Sequence, residues 1–190
     1  MVEKHFISAD QLLLDSYRLA RKILDANFHP NFIAAIWRGG TPVGIAVQEF
    51  FSYQGIHSDH IPIRTRRYDN QKIGVANESI QVDQLEYLIA HANREDRLLL
   101  VDDVYDTGLT LNEVINELKK RSRENTPQDI RIATPYFKPK MQKAVLPPDF
   151  YVQTTDKWLI FPHELNGLTL EEIRQGKGEE IAKSLSNFSK

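Results

Sequence analysis

Residues 98–111 read LLLVDDVYDTGLTL: an apolar run, two adjacent carboxylates, a third acid three positions on, then Thr-Gly-Leu-Thr. Like charges this close repel, and the run before them is built for burial, so a partner must neutralise them. Two partners suit Asp102 and Asp103. Sugar hydroxyls donate hydrogen bonds to carboxylates, and a hard divalent cation such as Mg²⁺ takes their oxygens directly. The second half of the stretch has a different chemistry. A loop feeding a helix presents unpaired backbone N–H groups and the positive end of the helix dipole, which together hold phosphate. The phosphate-binding part is then Asp106, Thr107, Gly108, Leu109 and Thr110, where glycine permits close backbone approach and threonines supply hydroxyl donors. The lysine and spaced glycines of a Walker-type loop are missing. A ligand with phosphate, ribose and a metal-bound pyrophosphate would satisfy every group at once.

Such groups need rigid elements behind them. Strand-like runs occur at 32–37 (FIAAIW), 60–65, 97–103 and 130–137, with two short ones at 149–154 and 157–164. Helical patterns lie between them. One opens at the capping-box sequence Ser8-Ala-Asp-Gln11, with Leu13, Tyr17, Ala20 and Leu24 on one face. Others cover 43–55 (closed by Gly55), 85–92 and 109–125, the last with Leu111, Val114, Ile115 and Leu118 inward. Thr169 caps a polar C-terminal helix that Gly176 and Gly178 interrupt. Residues 66–82 have no convincing period and read as a long loop or loose hairpin; loops of that length often serve as lids. Strands alternating with helices predict an α/β fold with a mainly parallel central sheet flanked by helices. Ligands bind such sheets beyond the carboxyl ends of the strands, where the aspartates fall.

Composition narrows the partners. The chain has 190 residues, 41% hydrophobic and 26% charged, enough for one core. A net charge of −2 offers no electrostatic reason to expect nucleic acid or an anionic membrane. The absence of cysteine excludes disulfides and thiolate metal sites and suits a reducing cytosol. The first residues lack the apolar core of a signal peptide, and no run approaches the ~20 apolar residues that span a bilayer. A cytoplasmic protein is expected. His57 and His60 lack the spacing and carboxylate partner of a zinc site and are expected on the surface.

VDDVYDTGLT resembles the phosphoribosyl-pyrophosphate motif of type I phosphoribosyltransferases: two acids, two further residues, an acid, then Thr-Gly-x-Thr. Other segments carry the same resemblance. IAAIWRGGTPVG is similar to the family's pyrophosphate loop, which implies that Arg38 and Gly39 present backbone N–H groups to pyrophosphate; whether their peptide bond is cis stays open. RRYDNQK resembles the mobile catalytic loop of the 6-oxopurine subgroup, with Arg67 standing where serine is common and Tyr68 fitting the pattern. Arg66, Arg67 and Lys72 would meet pyrophosphate charge when that lid closes. KWLIFPHEL resembles the purine-binding hood, so Trp158 would stack on the base and backbone groups of Leu159 and Ile160 would read its edge. Trp158 as a plain core residue competes with that reading, and Glu164 matches an acidic position. Lys138 matches the lysine that donates to the 6-oxo group, with Lys140 the substitute.

The resemblance implies transfer of a phosphoribosyl group to N9 of hypoxanthine, guanine or xanthine. Asp106 would accept the purine proton at N7, and Asp102 and Asp103 would hold the ribose, Asp103 being the better candidate for Mg²⁺. It also implies one domain over 1–190, with a core at 30–137, a hood at 138–168 joined by the N-terminal helix, and a helical tail at 169–190. Family members are commonly dimers or tetramers, so a homo-oligomer is expected. Three rivals stand: the same chemistry on another base, a non-catalytic nucleotide-sensing regulator, and a receiver-like module with a Mg²⁺-holding acidic pocket. The Thr-Gly-x-Thr loop disfavours the last.

Overall fold

The apolar runs become strands and the periodic segments helices. A computed structural model describes residues 4–68 and 79–186, with backbone alone at 67 and 68. The first half of the chain forms β1 (Lys4–Phe6), α1 (Ala9–Asp25), β2 (Phe32–Trp37), α2 (Gly40–Tyr53), β3 (Asp59–Tyr68), β4 (Ser79–Asp83) and α3 (Glu86–His91). Then follow β5 (Arg97–Val101), β6 (Val104–Tyr105), α4 (Leu109–Ser122), β7 (Asp129–Phe137) and β8 (Phe150–Thr154). The chain ends in β9 (Trp158–Ile160), α5 (Leu170–Lys177) and α6 (Glu179–Ser186). Two compact units result: residues 15–156, and the N-terminal segment to residue 14 together with the chain from 157 onward.

The larger unit holds a sheet in the order β4-β3-β2-β5-β7-β6, with β8 paired to β7. All pairs are parallel except β3 with β4. Alternation along the strands covers both faces. Phe32, Ala34, Ile36, Leu98 and Leu100 pack with Leu88, Leu111, Val114 and Leu118 of α3 and α4. On the opposite face Gly44 of α2 lies so close to Ala35 that a Cβ there would come within 2.6 Å of the alanine's own. One feature of register places the acids. Val101 pairs with Ala133 and Val104 with Tyr136, so β5 and β6 run along β7 at one common offset. Asp102 and Asp103 are the short break in that line.

The smaller unit pairs β1 with β9 in parallel, His5 opposite Leu159. Lys4 Nζ donates to Glu172 at 2.6 Å, and Lys177 Nζ donates to the Phe161 carbonyl at 2.6 Å.

The structure refines or departs from the sequence reading in several places. The buried face of α1 is Leu12, Leu19, Ala20 and Ile23, while Leu13 and Tyr17 are exposed. The cause is Asp15: a carboxylate in the apolar stripe is buried because Tyr136 Oη and Gln153 Nε2 donate to it at 2.8 and 3.1 Å. Between 66 and 82 the hairpin alternative holds at the ends, Tyr68 pairing with Ser79 and Arg64 with Asp83; residues 69–78 lie outside the described residues. Residues 138–156 fall in the sheet-bearing unit, because β8 hydrogen-bonds to β7. Gly178 separates the C-terminal helices, but Gly176 continues α5, where a Cβ would strike the Phe6 ring.

Candidate active site

Two loops leaving the carboxyl ends of β2 and β5 interlock. Neither glycine of the pair after Arg38 has room for a side chain. A Cβ at Gly39 would overlap the Asp103 carboxylate, and one at Gly40 would overlap the Val101 carbonyl and come to 2.8 Å from Asp102 Cα. The cis peptide bond falls at Trp37–Arg38, one bond before the Arg38–Gly39 pair whose geometry the sequence left open. Thr41 N–H donates to the Arg38 carbonyl at 3.1 Å and closes the loop into α2.

The acids at the end of β5 are held, not splayed into solvent. Asp103 is 8% exposed, and its N–H donates to Asp102 Oδ1 at 2.9 Å. Asp102 N–H donates to the Ala133 carbonyl at 3.2 Å, anchoring the pair to β7. Asp106 is half-buried, and its Oδ1 is enclosed with no hydrogen-bond partner among the described residues. An enclosed carboxylate oxygen without a donor is costly, which marks the place where a ligand N–H or O–H would be accepted.

Both helices that begin here are open at the N-terminus. The N-cap of α2 is Gly39 and that of α4 is Gly108; neither has a side-chain cap bond, and neither first turn contains an acid. Each other described α-helix has a capping side chain or an acid in its first turn. Gly108 takes φ 75°, a left-handed conformation that only glycine adopts without strain. Without a side-chain bond from the N-cap residue or an acid in the first turn, both ends keep most of their capacity for an anion. Thr107, Leu109 and Thr110 are half-buried around Gly108, and Thr107 Oγ1 accepts a long 3.4 Å bond from Leu109 N–H.

Lys138, next after β7, is 8% exposed, and its N–H donates to the Tyr105 carbonyl at 2.9 Å. Lys140 is instead a surface residue whose ammonium is 2.6 Å from Asp156, a contact that raises its pKa. The structure thus separates the two lysines by burial. Arg66 on β3 lies 3.9 Å from Asp83, Arg38 is exposed, and Lys72 lies outside the described residues. Arg67 and Tyr68 are placed by backbone only, at the end of β3. In the smaller unit Trp158 is 55% exposed, against the plain core reading, while Leu159 and Ile160 are buried. The Ile160 carbonyl already accepts from Ile7 N–H at 2.9 Å. Glu164 Oε2 accepts from Phe161 N–H at 3.0 Å, closing the turn after β9. His57 and His60 are exposed.

Among the described residues no group of three or more His, Cys, Asp or Glu forms a metal cage. Mg²⁺ is commonly held by one or two carboxylates while substrate oxygens and water fill the remaining positions. The Asp103 carboxylate lies directly against Gly39 in the loop that follows β2.

Three residues escaped the sequence reading. Gly40 is as tightly packed as Gly39, a signal the doubled glycine carries. Thr41 Oγ1 is buried without a partner at the start of α2. Tyr105, in a variable position of the motif, is 2% exposed beneath Gly108, where a Cβ would strike its phenol. Burial pushes that phenol's pKa up, and the Asp149 carboxylate adds to the effect.

Comparison with known proteins agrees with this geometry. The family model described as "Phosphoribosyl transferase domain" matches residues 8–170. The chain is 30% identical over 159 residues to the xanthine-guanine phosphoribosyltransferase of Desulfotalea psychrophila, covering 82% of this chain and 83% of that one. It is 27% identical over 188 residues to xanthine phosphoribosyltransferase 1 of Saccharomyces cerevisiae, covering 84% and 89%. The crystal structure of a purine phosphoribosyltransferase from Pyrococcus horikoshii superposes with a TM-score of 0.69 at 27% identity, over 87% of this chain and 97% of that one. With the acid pair, the glycine-started helices and the family model in agreement, the chain belongs to the phosphoribosyltransferase family.

Proposed function

We propose that this chain transfers the 5-phosphoribosyl group of phosphoribosyl pyrophosphate to N9 of a 6-oxopurine, hypoxanthine, guanine or xanthine. The products are a nucleoside 5′-monophosphate and pyrophosphate. The observation that carries the reading is the interlock of Gly39 and Gly40 with the acid pair. On the ribose ring the pyrophosphate-bearing carbon adjoins the hydroxyl-bearing carbons. A site for this substrate must therefore bring its pyrophosphate loop against its hydroxyl acceptors. The relatives' names, xanthine and xanthine-guanine phosphoribosyltransferase, support the substrate class.

The roles follow from position. Asp102 and Asp103 accept the ribose hydroxyls, and the open end of α4 with Thr107, Gly108, Leu109 and Thr110 takes the 5′-phosphate. Backbone N–H groups at Arg38 and Gly39, with the open end of α2, take the pyrophosphate. Asp103 would hold Mg²⁺ together with substrate oxygens, and the ion would supply charge neutralisation for the departing pyrophosphate. Asp106 accepts the proton lost from purine N7 as N9 bonds to the sugar. Lys138 donates to the 6-oxo group; an ammonium donates but does not accept, which favours oxo over amino purines. Trp158 is the stacking surface for the base, beside Leu159 and Ile160. Arg66, Arg67, Tyr68 and Lys72 belong to the lid that excludes water from the cationic sugar.

The reading extends to a homo-oligomer. Trp37 and Ile45 are 51% and 59% exposed beside an apolar hollow of about 290 Å³ that includes Ile33, Ala35, Ile61 and Pro62, a face suited to self-association. Light scattering of the purified chain tests it, and a monomer at all concentrations would remove it. Among the described residues no helix is long and apolar enough to cross a membrane, and a cytoplasmic location belongs to the same proposal. The deciding experiment is steady-state turnover on hypoxanthine, guanine, xanthine, adenine and uracil with Mg²⁺ and phosphoribosyl pyrophosphate. Turnover confined to the first three is expected, whereas turnover confined to adenine or uracil would move the assignment to another base.

A further inference from the structure

The sugar-phosphate loop rests on a side chain that no role above uses. Tyr105 is buried, its ring edge-on to Phe137 with centroids 5.6 Å apart. Its phenol lies directly under Gly108, where a Cβ would overlap Oη and Cζ and come to 2.7 Å from Cε1. Tyr105 Oη donates to the Leu146 carbonyl at 2.7 Å. The same Pro-rich segment grips the loop twice more: Lys143 and Ala144 N–H both donate to the Thr107 carbonyl, at 3.0 and 2.9 Å.

At its centre that segment gains little from its own apolar side chains, although Ala144 packs against the core and Pro148 is buried at its two ends. Val145 is 95% exposed and Leu146 is 74% exposed. A cavity of about 460 Å³ lies beside it, lined by Tyr105, Asn112, Ile115, Ile130 and Ile132. The phenol is therefore a strut: one edge carries the N-cap of α4 and its tip ties down the exposed centre of the segment at Leu146. Burial, with the Asp149 carboxylate adding to it, shifts the phenol's pKa upward and so favours the protonated, hydrogen-donating form.

We propose that Tyr105 is a positioning residue for 5′-phosphate recognition, setting the height of Gly108 and the α4 N–H groups without touching substrate. The inference rests on assigning the 5′-phosphate to the 107–110 loop. It predicts a selective defect. Tyr105→Phe keeps the ring and its contact with Phe137 and removes only Oη. Its Kd for guanosine 5′-monophosphate is expected to rise about 3- to 10-fold, the scale of one lost neutral hydrogen bond. KM for phosphoribosyl pyrophosphate should rise by the same factor. The Kd for Mg–pyrophosphate, KM for the purine and kcat should stay within about twofold, since those groups bind elsewhere.

Titration calorimetry of wild type and Tyr105→Phe with each ligand reads this directly. An unchanged nucleotide Kd, or an equal loss for pyrophosphate and nucleotide, would overturn the proposal. So would a variant that fails to fold, because the phenol would then hold the whole unit and not the loop. A wild-type protein that binds neither nucleotide nor phosphoribosyl pyrophosphate would instead overturn the proposed function beneath it.

Discussion

The N-terminus of α4 and that of α5 solve the same backbone problem in opposite ways. Any helix begins with N–H groups that lack partners within it. At α5 the protein supplies them: Thr169 Oγ1 accepts from Glu172 N–H at 3.2 Å, and Glu172 Oε2 accepts from Thr169 N–H at 2.9 Å, a reciprocal capping box. At α4, as at α2, the cap position is glycine, no side chain turns back from it, and no acid sits in the first turn. A cap is worth about 0.5–2 kcal/mol. Forgoing it twice, at adjacent strand ends and beside two aspartates, makes sense where an anion completes the helix. Under the proposed function, the difference separates a helix end that serves stability from two left open for a ligand.

The sharpest way to break this comparison is at the acid between the open helix and the aspartate pair. Asp106→Asn is expected to keep fold and phosphoribosyl-pyrophosphate affinity while turnover falls by about 10²–10⁴, the range for losing a general base. Unchanged turnover in a stopped-flow assay would take Asp106 out of the chemistry. Next is Gly108→Ala. At φ 75° and with Tyr105 in the way, the loop must shift, and strain of about 1–3 kcal/mol converts to roughly 5- to 150-fold weaker phosphoribosyl-pyrophosphate binding. Gly178→Ala, at φ 107° with nothing within 4 Å, is the control: it should lower Tm without altering that affinity.

Trp158→Ala should raise the purine KM about 5- to 100-fold, the scale of aromatic–base stacking, and leave Mg–phosphoribosyl-pyrophosphate binding alone. Equal losses in both would make Trp158 structural. The smallest effect belongs to the capped end. Thr169→Ala should cost about 1 kcal/mol in denaturant unfolding with kinetics unchanged; a kinetic defect there would blur the distinction between the two helix ends.

Much of this site was legible because its pieces are local. The apolar run, the acids and the glycine–threonine loop occur in one unbroken stretch, and strand, loop and helix follow in that order at 97–122. What escaped was set by distant partners. β1 has three residues and gains its strand character only by pairing with β9, more than 150 positions later. The buried face of α1 was misread because Asp15 looks like a solvent residue until Tyr136 and Gln153 arrive to bond it. The resemblance at Arg38 and Gly39 says nothing of what the doubled glycine packs on; its contact with Asp103 and Asp102 appears only when β2 and β5 lie side by side. Tyr105 fills one of the two unspecified positions of the motif, whereas its contacts come from the segment at 143–146.

Isothermal titration of the wild-type chain with Mg–phosphoribosyl pyrophosphate tests the central claim most directly, with Asp102→Asn/Asp103→Asn and Gly108→Ala alongside. The account predicts saturable binding at one molecule per chain that weakens sharply in both variants. Absence of binding by the wild type, or binding that neither variant disturbs, would contradict it.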